Sequence, residues 1–508
     1  VNVEEKSLVI IGAGLAGLSA GCFGQINGYR THIFEHHSRA GGVAATWDRH
    51  GYQIDGGIHF LMGCRPDQGL YELYRELGAI TSPTDIIPLD AYGRAVDEHR
   101  GRSVTATRDL ARFVADVADI SPADRPAIQK LMEAAGALRG FDMAAMGLDR
   151  PPELTSTSTR VKQLWGARRA GRYFTGHWAQ PISHYAKGLK DPWVRWVVEH
   201  LFMPEVPVWF VAAVFGLLVD GQLGLLRGGC RAFVDGIEQR YRGLGGTISY
   251  HSTVEEILVD HGRAVGVRLA DGTVQRADAV ISAADGRSTI FTLLRGRFLD
   301  KRTADRYEHW DTFPPLVMVS LGVAREFSGE PAFTMIRLQR PLEVGGRMVE
   351  GILARCFNYA PGFAPVGRTL LQVEFESDWD HWNLLRSDPP AYRAEKERVG
   401  AEIVGRLEKL YPGIGSQVEM TDVATPYTTW RYTLNHRGAY EGFLPTPETI
   451  TAAVDRTLPG LDGFFMAGQW VMPGGGVPPA LFSGRHAVEL LCRWDGRSFK
   501  RSSSELVD

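Results

Sequence analysis

The first residues able to do chemistry are glycines and an acid: Gly12, Gly14 and Gly17, in the spacing G-x-G-x-x-G, and then Glu35. A helix that opens directly from a glycine turn leaves its first N–H groups unpaired and carries the positive end of its dipole there, so backbone alone can hold a pyrophosphate. Gly12 permits the tight turn, Gly14 lets phosphate approach beside Leu15 and Ala16, and Gly17 allows helix and strand to pack closely. Glu35, followed by His36, can take ribose hydroxyls, and its charge favours a ribose without a 2′-phosphate. The elements needed to position these residues stand in order. Leu8-Val9-Ile10-Ile11 reads as a strand, Leu15 to Gln25 as a helix that Gly28 ends, and Thr31-His32-Ile33-Phe34 as a second strand. Motif and context together specify a dinucleotide.

Arg39, Gly41, Gly42, Val43 and Trp47 follow directly. A glycine pair so soon after the acid resembles the extra motif of FAD-binding flavoenzymes, which nicotinamide domains do not usually carry. Near the other end of the chain, a strand closes on Gly468 and Gln469. Pro473 to Pro479, with Gly475, Gly476, Val477 and Pro478, then leads into a helix through Ala480 to Cys492. A helix start aimed at the N1/O2 edge of a flavin would stabilise the anionic reduced ring. Ala277 to Ala284 reads as a buried strand ending in small residues, Ala283 and Ala284 before Asp285, as beside a cofactor. Gly57, Ile58 and His59 lie in a glycine turn between two strands; His59 suits a half-buried structural histidine as well as a catalytic group, and is the obvious titrating candidate. No cysteine lies between Met466 and Pro479, so the FAD is expected to be held non-covalently.

The 508 residues exceed what one hydrophobic core normally organises. The expected class is α/β: a Rossmann-type FAD-binding domain (1–67, 223–290 and 455–497), interleaved with a helical cap (68–222) and a mixed-sheet substrate domain (291–454), with a tail at 498–508. The cap reads as helices without alternating strands, from the faces Leu70-Leu73-Tyr74-Leu77 and Leu110-Phe113-Val114-Val117. Pro426 to Tyr432 reads as a polar and aromatic loop.

Hydrophobic content of 44%, charged content of 23% and a formal net charge of -3 describe a soluble globular protein with no global pull toward nucleic acid. Cys22, Cys64, Cys230, Cys356 and Cys492 lack the paired spacing of a disulfide framework or a zinc site, so no metal is expected. The chain reads as cytoplasmic. Val206 to Val219 falls short of the roughly 18–20 apolar residues that span a bilayer, and reads as a buried helix or tunnel wall. The stretch Arg160 to Trp196, aromatic and basic, suggests peripheral contact with a membrane surface.

The set Gly12–Gly17 with Glu35, Arg39 to Gly42, Asp55 to His59, Arg227-Gly228-Gly229, Thr425-Pro426 and Gly474 to Pro479 with Ser483-Gly484 resembles the phytoene desaturase, carotenoid isomerase and retinol saturase group of the FAD-dependent amine-oxidase-like superfamily, over nearly the whole chain. The resemblance implies that Val254 offers its backbone to adenine and that Gly468 with Gln469 meets the phosphate and ribityl region. It implies hydride exchange between flavin N5 and a carbon–carbon bond of an apolar, polyene or isoprenoid-like substrate, by desaturation or saturation, or redox-neutral isomerisation with reduced FAD. An amine oxidase, a secondary-metabolite tailoring enzyme and a non-catalytic flavoprotein stay open beside it. Amine oxidases of this fold commonly place a lysine near N5, and Pro315 to Gly322 has none. No second glycine fingerprint exists for NAD(P)H, so an external electron acceptor or donor is expected, and the oligomeric state stays open.

Overall fold

The computed structural model describes residues 6–140, 142, 148–156 and 171–502. The glycine fingerprint opens a five-stranded parallel sheet in the order Thr247–Ser249, Arg30–Phe34, Ser7–Ile11, Ala279–Ser282, Phe464–Met466. Alternate side chains of a strand leave on opposite faces, and here both faces are buried. Leu8, Ile10, Ile33, Ile281 and Phe465 pack against the helices Leu15–Ile26, Gly229–Gly243 and Val477–Trp494. Val9, Ile11, Phe34, Val280 and Phe464 pack on the other side, against the antiparallel strands Val254–Asp260 and Arg263–Leu269. That is why these strands read as unbroken apolar runs.

A second sheet has seven strands, in the order Val418–Ala424, Leu316–Val323, Thr369–Glu376, Arg347–Cys356, Phe333–Val344, Ala91–Asp97, Arg102–Thr107. Its pairs are antiparallel except Phe333–Val344 with Ala91–Asp97. The helix Pro389–Leu410, capped by Asp388 and opened by proline, covers it with Val399, Ile403 and Leu407. The cap gathers Leu110–Ile120, Arg125–Ala137, Pro192–Glu199 and Val208–Val219 around its own apolar cluster. Val208–Val219 is apolar nearly all round, and such a helix must be buried; it is the buried helix the sequence suggested.

Three expectations change. The stretch 68–222 is not purely helical: Ala91–Asp97 and Arg102–Thr107 form a hairpin that extends the mixed sheet. Its parallel partner lies far along the chain, where local periodicity does not reach. Pro426–Thr433 is a helix rather than a loop, because Thr425 and Thr428 form a reciprocal capping box and Pro426 starts the first turn. Of the aromatic and basic stretch, residues 157–170, with Arg160 and Trp165, lie outside the described residues. In the remainder Tyr173, Trp178, Trp193 and Trp196 are buried in the cap cluster, so these rings pack inward. Among the described residues, no helix is long and apolar enough to cross a membrane.

Candidate active site

A single cavity of about 1290 Å³ runs from the glycine fingerprint to the cap. All of the expected cofactor residues open onto it except Gly17, Arg39 and Trp47. Gly12 holds φ at 93°, and a Cβ on Gly17 would stand 1.9 Å from the Gly12 carbonyl oxygen, so Gly17 acts through packing. Around Gly14 the reverse holds: a Cβ there would meet nothing within 4 Å. Gly14 is also the N-cap of Leu15–Ile26 and brings no side-chain hydrogen bond, so the first N–H groups of the helix stay available to an anion. Glu35 is buried, its carboxylate accepting from the backbone N–H groups of Ala13 at 2.6 Å and His37 at 2.7 Å. Burial pushes this carboxyl up, and those two N–H groups pull it back. Each oxygen keeps a lone pair for a ribose hydroxyl. The Gly41 N–H donates to the Ala13 carbonyl at 2.9 Å, so the second glycine pair is tied to the first turn. These features fit an FAD pyrophosphate and ribose.

Arg39 and Trp47 need correction. Arg39 donates to the Thr46 carbonyl. In the hairpin of Thr46–Arg49 and Tyr52–Asp55, Thr46 faces inward and bonds Asp55 at 2.9 Å, so alternation turns Trp47 to the other face. Its indole N–H donates to Asp422 at 3.1 Å.

At the turn before His59, Ile58 has φ 47°, a left-handed conformation that costs a β-branched residue about 1–3 kcal/mol and persists only where its surroundings enforce it. Three successive carbonyls are held: Gly56 accepts from the Tyr440 hydroxyl at 3.1 Å, Gly57 from the Cys230 thiol at 3.1 Å and Ile58 from Arg355 at 3.4 Å. The result aims His59 at Glu374, Nε2 to Oε2 at 2.6 Å. The other Glu374 oxygen accepts from Arg355 at 3.0 Å, and Arg355 also donates to Gln372 at 2.8 Å. Burial pushes the Glu374 carboxyl up, but His59 and Arg355 outweigh it and hold it down at about 2. Glu374 is therefore a fixed anion, and His59 is anchored to it.

The turn Gly474-Gly475-Gly476 brings in a residue absent from the sequence reading. Glu441 accepts the Gly476 N–H at 2.8 Å, and a Cβ on Gly475 would lie 1.6 Å from its other oxygen. At the start of Val477–Trp494, which the sequence aimed at the flavin ring, the N–H of the N-cap Gly476 thus already has a carboxyl partner. Burial pushes Glu441 up to about 7, against the pull of that N–H. Glu374, Arg355 and Glu441 were all missed. The available signal was polar alternation at Gln372, Glu374 and Glu376 on the otherwise apolar strand Thr369–Glu376.

Beyond His59 the wall becomes largely apolar and aromatic, through Phe60, Tyr92, Trp196, Trp209, Phe210 and Phe333, with Glu199, His200, Glu205 and Glu350 also lining it. Residues 15–492 match the family of flavin containing amine oxidoreductases. The chain belongs to this family. It is an FAD-dependent oxidoreductase. Among curated proteins the flavoenzyme is 27% identical to the chloroplastic prolycopene isomerase of Arabidopsis thaliana, over 94% of this chain and 81% of that one. It is also 27% identical to the neurosporene-forming phytoene desaturase of Rhodobacter capsulatus, over 95% and 93%. Its fold matches cyclohexylamine oxidase from Brevibacterium oxydans, with a TM-score of 0.60 at 15% identity over 97% of this chain and all of that one. The whole-length resemblance and the mixed α/β class expected from the sequence are both borne out.

Proposed function

We propose that this flavoenzyme exchanges hydride with a carbon–carbon bond of an elongated apolar substrate of the polyene or isoprenoid class, with desaturation as the principal direction. The observation that carries the reading is the continuous cavity, glycine-lined where FAD binds and aromatic where it enters the cap. The names of the curated relatives point the same way. FAD supplies the hydride chemistry when bound. The chain's own share is position and shape. In this proposal Gly12 to Leu15 hold the pyrophosphate, Glu35 the ribose, Val254 the adenine, and Gly468 with Gln469 the ribityl region. His59, anchored by Glu374, walls the reacting bond, and the aromatic rings keep water out. The division into three nucleotide-binding segments, a cap and a mixed-sheet substrate unit belongs to the same proposal. So does an external two-electron acceptor of the quinone class. A substrate of this kind dissolves in membranes, so transient docking on lipid is included as well.

Two measurements test the reading. Gly14→Val should lose FAD while the apoprotein keeps its fold, because a Cβ at this position meets no protein atom within 4 Å and points into the phosphate approach; stoichiometric FAD in that variant would mean the pyrophosphate lies elsewhere. Anaerobic mixing of the oxidised holoenzyme with polyenes should bleach the flavin in one turnover. Bleaching by amines alone would transfer the enzyme to the amine oxidases. Sustained turnover of pre-reduced enzyme without acceptor would make it an isomerase, the reading favoured by the prolycopene isomerase relatives.

A further inference from the structure

We propose that Glu441 is the proton-transfer group of this site, a catalytic residue that takes the proton released when a carbon–carbon bond is desaturated. The inference rests on the function proposed above.

Its first support is place. Glu441 opens onto the cavity where the two flavin-side glycine turns meet. Its own side chain lies on Gly475 and Gly476, while the next residue, Gly442, sits so close to Gln469 that a Cβ would stand 2.7 Å from the Gln469 carbonyl. Phe313 closes the segment from behind, its N–H donating to the Gly442 carbonyl at 2.9 Å. The carboxyl is therefore held at the cavity wall on a rigid support.

The second support is what surrounds it. Among the described residues Glu441 receives one hydrogen bond, from the Gly476 N–H, which leaves most of its accepting capacity free. Neighbouring Tyr440 spends its hydroxyl proton on the Gly56 carbonyl. The charged groups near Tyr440 besides Glu441 are Arg355, Glu374 and His59, and these are committed to one another. With no cation bound to it, burial prevails, and at about 7 this carboxyl can both take and give a proton near neutral pH.

The step balances. One carbon gives up a hydride, and with it two electrons, to FAD; the adjacent carbon gives a proton to the Glu441 carboxylate, and the remaining electron pair forms the double bond. When a quinone-class acceptor takes the hydride equivalent back from the cofactor and Glu441 gives up its proton, the quinone becomes a quinol and the carboxylate is restored. Run backwards, the same acid delivers the proton that saturation needs. The placement also links electron and proton. With FAD held against the Gly474-Gly475-Gly476 turn, negative charge gained by the cofactor would disfavour an ionised Glu441, and protonation would remove that repulsion.

The test uses photoreduced holoenzyme and needs no substrate, so it reads Glu441 even if the proposed substrate class is wrong. Redox-difference infrared spectra at pH 8 should show a carboxylic C=O band that appears on reduction and shifts in D2O. The band should vanish in Glu441→Gln and persist in His59→Gln. At pH 6, where Glu441 is already protonated, its appearance should weaken. With a substrate that bleaches the wild-type flavin, Glu441→Gln should slow the reductive half-reaction by about 10²–10⁴-fold at unchanged FAD content and lose the acidic limb of the pH profile. If Glu441→Gln fails to hold FAD, Glu441→Asp replaces it and should show the same band displaced in frequency. A band unchanged in either variant, or full reduction rates in Glu441→Gln, overturns the assignment and leaves the FAD reading intact. A wild-type flavin that no polyene bleaches sinks the substrate reading, while the infrared result still decides the role of Glu441.

Discussion

Glu374 and Glu441 are carboxyls on the wall of one cavity, and burial pushes both upward, yet one is held at about 2 and the other rises to about 7. What differs is the company. The Glu374 region is built from two strands of the mixed sheet that present Arg355 and Gln372 beside the carboxylate, with His59 closing from a strained turn. The Glu441 region is built from glycine turns, and a single backbone N–H faces the acid. Burial raises both, Glu374 being buried and Glu441 partly buried, and the partners decide whether the acid becomes part of the scaffold or a group able to exchange protons.

The comparison breaks most visibly at its low end. Glu374→Gln leaves the buried Arg355 guanidinium without its counter-charge, and breaking such a pair typically costs about 3–5 kcal/mol. Urea unfolding of the variant should show that loss; a loss below about 1 kcal/mol would mean that the Glu374 cluster is no scaffold. Next comes pH. The folded-state value of Glu374 lies below its ordinary 4.5, so its contribution is present above about pH 4.5 and is lost as pH falls through about 2. Glu441 has the opposite sign: its folded value lies above 4.5, so it costs nothing at low pH, and the penalty grows from about 4.5 and levels off above about 7. Glu441→Gln should therefore gain on wild type in thermal unfolding as pH rises through that window. A difference that stays constant with pH would show Glu441 to be as well partnered as Glu374. The smallest effect falls between the two acids. Tyr440→Phe removes only the bond to Gly56 and should cost about 0.5–1.5 kcal/mol, with both titrations kept; merging of the two would show that Tyr440 couples them.

The nucleotide end was legible because its chemistry is local and made of backbone. Gly12, Gly14 and Gly17 are required by a turn and a close approach within one helical turn, and Glu35 ends the next strand, so type and spacing are written together. The substrate end is assembled from side chains far apart in sequence. Arg355 and Glu374 meet only because two antiparallel strands pair in one register, and Glu441 meets Gly476 only because a loop closes on a distant helix. Trp47 failed for a related reason: its type suggested a ring neighbour, but strand alternation, decided by Thr46 and Asp55, turned it away. The same long-range pairing hid the hairpin Ala91–Asp97 with Arg102–Thr107, whose parallel partner begins at Phe333.

The order of the parallel sheet bears on how the enzyme is made. Ser7–Ile11 lies at its centre, yet Ala279–Ser282 beside it and Phe464–Met466 at the edge are translated much later, and the helix Val477–Trp494 that packs on Leu15–Ile26 later still. On the ribosome this strand–turn–helix therefore waits with an open sheet edge and an uncovered apolar helix until Ala279–Ser282 and Val477–Trp494 have emerged. Non-local pairing of this kind folds slowly and exposes sticky intermediates. Losing the helix Val477–Trp494 removes a wall from the helix Leu15–Ile26, so the FAD site is completed only once that late segment has joined the first.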